Sequence, residues 1–210
     1  MPNKMLLLSA VAGVFIGVAV VKGTHAYFTD TATSAENTFQ TATDFATPSG
    51  TFTPTPEVDH VVINEVNAIG GATVEWIELY NPTPVSVNLT GWSITDNNRS
   101  NIFPGNPSLP SHDFAVIIPQ GSSVLPPVNA VTITLSESEI GNMLNPASDH
   151  VLLQNKANDT VDAVSFGGDH TYFVLPNIIG GTLQRTQDGL DTDTASDWHT
   201  VTATLGGPNQ

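Results

Sequence analysis

Val74-Glu-Trp-Ile-Glu-Leu-Tyr-Asn81, closed by Pro82 and Pro84, decides the fold class. Neighbouring side chains of a strand point to opposite faces, so Trp76, Glu78 and Tyr80 share one face and Ile77 and Leu79 the other. The same signal recurs on either side. Upstream lies Val61-Val-Ile-Asn-Glu-Val66. Downstream, Trp92-Ser-Ile-Thr95 follows the turn at Thr90-Gly91, and Asp113-Phe-Ala-Val-Ile-Ile118 stops at Pro119. Val131-Thr-Ile-Thr-Leu135 alternates β-branched residues. Val151 to Gln154 and Val161 to Phe166 read as a hairpin turning at Lys156 to Asp159, and Thr182 to Arg185 and Val201 to Thr204 close the chain. Short strands with turn punctuation predict an all-β fold, a β-sandwich. One helix is predicted, over Glu137 to Leu144, where Ser136 and Glu139 make a capping box.

Composition sets the outer bounds. Among 210 residues there is no Cys, which removes a disulfide scaffold, a thiolate metal site and a cysteine nucleophile. Five Lys+Arg against twenty Asp+Glu give a net charge of −15, which opposes binding to nucleic-acid phosphates. With 40% hydrophobic and only 12% charged residues, the chain is not an acidic disordered polymer.

The front end has its own grammar. Lys4 precedes the uncharged run Met5 to Val21, followed by Thr24-His25-Ala26. A basic start, an apolar core and small residues at the −3 and −1 positions predict a signal peptide helix over 1–26, cut between Ala26 and Tyr27. The alternative is an uncleaved anchor, the one route by which this chain would meet a membrane. Residues 27–45 form a polar arm, and 46–57 (ATPSGTFTPTPE) a Pro/Thr-rich extended linker. The folded domain is expected over 58–210. Ala26, Tyr27, Phe28, Thr29 and Asp30, then Asn37, Thr38 and Phe39, resemble the leader junction of camelysin-type and TasA-type biofilm matrix subunits. That resemblance implies an export route and assembly into extracellular fibres. It does not extend to a metalloprotease, because the chain has no His-Glu-x-x-His.

Face arithmetic leads to a charge hypothesis. Ile63 and Glu65 fall on one face of their strand, and Leu183 and Arg185 on one face of theirs. An acid that points inward needs a partner. Arg185 is therefore expected to pair with Glu65 or Glu78, with an exposed Arg185 near Asp188 as the competing reading.

The ordered motifs Ile63-Asn-Glu-Val66, Glu75-Trp-Ile-Glu-Leu-Tyr-Asn81, Asn88-Leu-Thr-Gly-Trp-Ser-Ile-Thr-Asp96, Asp149-His-Val-Leu-Leu153, Val161 to Phe166, Gly181-Thr-Leu-Gln-Arg185, Asp197-Trp198 and Leu205-Gly-Gly-Pro-Asn209 resemble a lamin tail domain. The resemblance covers about residues 58–209. It implies an immunoglobulin-like β-sandwich. It also implies an adhesive or interaction module of the kind found on secreted and surface proteins.

Candidate sites are few. Asp188, Asp191, Asp193 and Asp197 place four carboxylates close together, as a calcium site or as a turn whose side chains cap backbone N–H groups. Asn88, Asn98 and Asn158 begin glycosylation sequons. His60, His112, His150, His170 and His199 lack metal-ligand spacing, and no nucleophile elbow or phosphate-cradling loop is present. The expectation is an exported, non-catalytic surface or matrix protein with no cofactor beyond that calcium. It would contact surface proteins or glycans, with self-association possible and nucleic acid excluded. The competing expectation is a fibre subunit that donates residues 27–45 to a neighbour's sheet.

Overall fold

The structure is a computed structural model, and it describes residues 59–210. The expected leader, its cut at Ala26/Tyr27, the arm and the linker lie outside those residues. Within them the chain forms twelve strands and one 3-10 turn at Ala195–Asp197. In order these are β1 (Val62–Asn67), β2 (Trp76–Tyr80), β3 (Val87–Asn88), β4 (Ser93–Thr95), β5 (Ser100–Ile102) and β6 (Ser108–Leu109). Then come β7 (Phe114–Ile118), β8 (Val131–Thr134), β9 (Ser148–Gln154), β10 (Thr160–Gly167), β11 (Thr182–Arg185) and β12 (Trp198–Val201).

Six strands make the larger sheet, in the order β12-β11-β1-β2-β7-β8, and four make the smaller, β10-β9-β4-β5. β3 and β6 form a two-stranded ribbon. Ile63, Val66, Ile77, Leu79, Ile117 and Leu183 of the larger sheet pack in one core with Ile94, Val151, Leu153, Val164 and Phe166 of the smaller. This is the immunoglobulin-like β-sandwich that the strand pattern and the resemblance imply.

The larger sheet is covered on its outer face as well. β7 and β8 run parallel, and a parallel pair cannot be closed by a tight turn. Residues 119–130 therefore cross over the sheet. Val124 and Ala130 of that crossover, with Leu205, cover Trp76, Val116 and Ile118. Every residue of β7 is buried, as a strand enclosed on both faces must be.

Two irregularities in register decide where charge goes. β1 pairs Ile63 with Leu79 and then Glu65 with Glu78, so Asn64 is an inserted residue. A bulge re-aims every side chain beyond it. Ile63 and Val66 both reach the core, and Glu65 turns to the outer face beside Glu78. The expectation that Ile63 and Glu65 share a face fails for that reason. β10 carries a second shift, between Thr160 and Asp162.

Two further expectations are corrected. No helix forms over Glu137 to Leu144, which is a run of bends and turns. Its backbone donors are captured by side chains in β5 and at the ends of β2 and β4. Glu75 accepts from Ile140 N at 2.6 Å and Leu144 N at 2.9 Å, Asn101 from Gly141 N at 2.6 Å, and Asp96 from Asn142 N at 2.7 Å. The last strand is Trp198–Val201 rather than 201–204, because Trp198 is the register partner of Arg185. The short strands β3, β5 and β6 carry no alternation long enough to detect.

Candidate functional site

Arg185 is the polar centre of the domain. Leu183 points into the core, so Arg185, two residues on, points the same way, and it is 1% exposed. Its Nε donates to the Ile63 carbonyl at 2.7 Å and its Nη2 to Asp162 Oδ2 at 2.8 Å. Nη1 donates to the Leu190 carbonyl at 2.5 Å and to Asp191 Oδ1 at 3.2 Å, and lies 3.9 Å from Asp197 Oδ2. The guanidinium stacks on Trp198 at 4.5 Å from the ring centre. A planar fork of donors is the group best suited to such a many-sided site. It ties β1, β10, β11, β12 and the loop 188–197 together.

The predicted partners Glu65 and Glu78 are not the ones it meets. The bulge at Asn64 places Glu65 on the opposite face of the sheet from Arg185, and alternation with the core residues Ile77 and Leu79 places Glu78 there too. Asp162, which the sequence reading passed over, takes their place from the other sheet. A signal for it existed: Asp162 falls on the same side of β10 as Val164 and Phe166, an acid on an apolar face. Asp162 also accepts from Ile63 N at 2.6 Å, next to the bulge.

The four aspartates of the 188–197 loop do not converge on one point. Asp188 accepts from Asn64 Nδ2 and Asn209 N, each at 3.0 Å. Asp191 faces Arg185 and, at 3.5 Å, His60 Nε2. Burial pushes the Asp191 carboxyl up, but His60 and Arg185 outweigh it and hold it at about 2. The Asp191 hydrogen bond in turn raises His60. Asp197 caps the loop through Thr192 N at 2.7 Å and the Thr192 hydroxyl at 2.7 Å. Asp193 is exposed. Among the described residues, no group of three or more His, Asp or Glu is arranged to hold a metal ion. The loop's oxygens are turned to Arg185 and to backbone donors, the arrangement of the capping turn that stood beside the calcium site in the sequence.

On the outer face, Glu65 and Glu78 stand opposite each other and are fully buried. Glu65 accepts from the Thr182 hydroxyl, and from Thr204 through its hydroxyl at 2.9 Å and its N–H at 3.2 Å. Glu78 accepts from Asn64 Nδ2 at 2.9 Å and Gly206 N at 2.6 Å. Burial pushes Glu78 up to about 8 and raises Glu65 as well.

These cases share one rule. Among the described residues seven carboxylates are buried: Glu65, Glu75, Glu78, Asp96, Asp149, Asp162 and Asp197. Each accepts at least one backbone N–H. In a chain so poor in Lys and Arg, peptide donors take the part that cations would otherwise play. Gly141 shows how tight this packing is. Its φ is +59°, and a Cβ there would lie 2.0 Å from the Asp96 carboxyl.

The remaining candidates sit apart. Asn88, Asn98 and Asn158 are all exposed. Trp76 belongs to the outer cluster, Trp198 is buried on Arg185, and Trp92 packs on the main core, so the three form no common surface. His150 is bonded to Asp169 at 2.9 Å and meets Tyr172 edge-on. The Ser165 hydroxyl across from it donates to the Phe173 carbonyl at 2.7 Å and is buried. An open depression of about 330 Å³ is lined by Asn67, Ile69, Gly180, Gly181, Thr182 and Thr202.

A family model for the Lamin Tail Domain matches residues 54–168, more than half of the chain. The match takes in β1 to β10, and the strands that carry Arg185 and Trp198 lie beyond it. No curated protein matches the chain. On the family match, together with the all-β sandwich, this chain belongs to the lamin tail domain family.

Proposed function

We propose that the protein is an exported, non-catalytic interaction module of the cell surface or extracellular matrix. One observation carries the reading: all seven buried carboxylates are engaged in holding backbone, so the domain's concealed charge is architectural. Contact with partners then falls to the exposed loops. Leu125 and Val128 are 88% and 106% exposed on the 119–130 crossover, and Val174 and Ile179 are 65% and 75% exposed on the loop before β11. Aliphatic side chains so displayed suit protein contacts, and the open depression beside Gly180, where Asn67, Thr182 and Thr202 offer polar groups among apolar ones, suits a glycan. The net charge of −15 argues against nucleic acid. Export rests on the leader pattern of residues 1–26, and the exposed sequons at Asn88, Asn98 and Asn158 are open to modification on that route.

The test is to express the full chain in a secreting host and sequence the N-terminus of the product. Its mass in solution and its retention on cell-surface material are measured next. A mature chain starting at Tyr27 that is retained, and less so after Leu125→Ser with Val128→Ser, supports the reading. Retention in the cytoplasm, or turnover of a substrate abolished by one carboxylate substitution, would overturn it. The fibre reading makes a separate forecast: filaments that vanish when residues 27–45 are deleted.

A further inference from the structure

We propose that residues 202–210 are a latch on the outer face of the larger sheet, closed while the buried Glu65 and Glu78 pair holds a proton and released in alkaline solution to withdraw Leu205 from Trp76, Val116 and Ile118. The segment follows the last strand and folds back over β11, β1 and β2 through a small set of contacts. Thr204 is held by Glu65, Gly206 N–H by Glu78, Asn209 N–H by Asp188, and Gln210 N–H by the Gln184 side chain. Asn209 Nδ2 reaches the Asn64 and Arg185 carbonyls. Leu205 supplies the apolar anchor on Trp76, Val116 and Ile118. The crossover loop abuts the latch: a Cβ on Gly206 would meet Pro127 Cγ at 2.5 Å, and Gly206 has φ +71°.

The grip is conditional because of what surrounds the two acids. Asn64 and Glu65 come from β1, Glu78 from β2, Thr182 and Gln184 from β11, Asp188 from the following loop, and Thr204, Gly206 and Asn209 from the latch. The ionisable members are all acids. Among the described residues, no Lys, Arg or His forms an ion pair with Glu65 or Glu78. Two register-paired carboxylates cut off from water, with no cation beside them, are costly to ionise together. Opening the latch would hydrate them and let both ionise. The closed state therefore binds protons that the open state gives up, and rising pH drives opening by linkage. With Glu78 at about 8 when closed and at an ordinary carboxyl value when open, the opening constant rises about a hundred-fold between pH 6 and pH 9.

Amide hydrogen exchange on the full chain reads this directly. The Thr204 and Gly206 amides, which donate to the two acids, are followed at pH 6 and pH 9 after correction for intrinsic exchange rates. The expected result is about a hundred-fold loss of protection at these amides by pH 9, leaving them far less protected than the β1 and β7 amides. Glu78→Gln keeps the shape and an acceptor but removes the titration, so its latch should stay protected at pH 9. Corrected protection that does not depend on pH in the unmodified chain overturns the proposal. So does a Glu78→Gln chain with undiminished pH dependence, or latch amides that stay as well protected as those of β1 and β7 at pH 9.

Discussion

Replacing Arg185 with Met tests the central cross-link most directly. Met fills much of the same space on Trp198 but donates no hydrogen bond. Asp162 then keeps its contacts with Ile63 N and Ala163 N and loses its only cation, at a site 2% exposed. Removing one member of a buried pair costs about 3–5 kcal/mol, chiefly because the other charge is left uncompensated. In a domain of this size each kcal/mol lowers Tm by roughly 2–4 °C, so a fall of about 10 °C is expected. The assay is thermal unfolding of the full chain for Arg185→Met, Asp162→Asn and the double variant. Asp162→Asn should return part of the loss when combined with Arg185→Met, with a coupling of roughly 1–3 kcal/mol. Glu65→Gln should combine additively with Arg185→Met, because the bulge at Asn64 puts Glu65 on the other side of the sheet. A Tm within about 2 °C of the unmodified chain, or coupling to Glu65 in place of Asp162, would refute the assignment.

Other expectations follow from the buried acids. Glu65, Glu75, Glu78 and Asp149 are all raised by burial, so the folded state binds more protons than the unfolded chain above the ordinary carboxyl range. Stability should be greatest on the acid side, near pH 4–5, and fall as pH rises toward about 8, by up to about 1.4 kcal/mol per pH unit for each group; a Tm that climbs from pH 5 to pH 8 would contradict this. Gly141→Ala sets a Cβ at positive φ against the Asp96 carboxyl and should cost more than about 2 kcal/mol, read as a lower urea midpoint. Millimolar calcium should leave Tm unchanged, since the 188–197 aspartates face Arg185 and backbone donors; a clear rise would restore the cation site. Substituting Asn88, Asn98 and Asn158 by Gln should remove any glycan mass from the secreted chain at little cost in Tm, because all three are exposed.

The positions of the longer strands were legible in the sequence, and so was the sandwich. Alternation over Val61 to Val66, Val74 to Asn81 and Val161 to Phe166 is a local property, and Pro82, Pro84 and Pro119 mark where pairing must end. The order of those motifs was enough to point to the family. Three things were decided only by tertiary structure. The inserted Asn64 reversed the face of Glu65, and a period of two carries no trace of a bulge until the partner strand counts the residues. The Glu137 to Leu144 segment had the capping pattern of a helix, but Glu75, Asp96 and Asn101, distant in sequence, offered its N–H groups buried acceptors, and those contacts outweighed a local preference worth little on its own. Arg185 was recognisable as the scarce cation that must serve an acid. Which acid it serves depended on which sheet faces it, and Asp162 arrives there only when the two sheets close on each other.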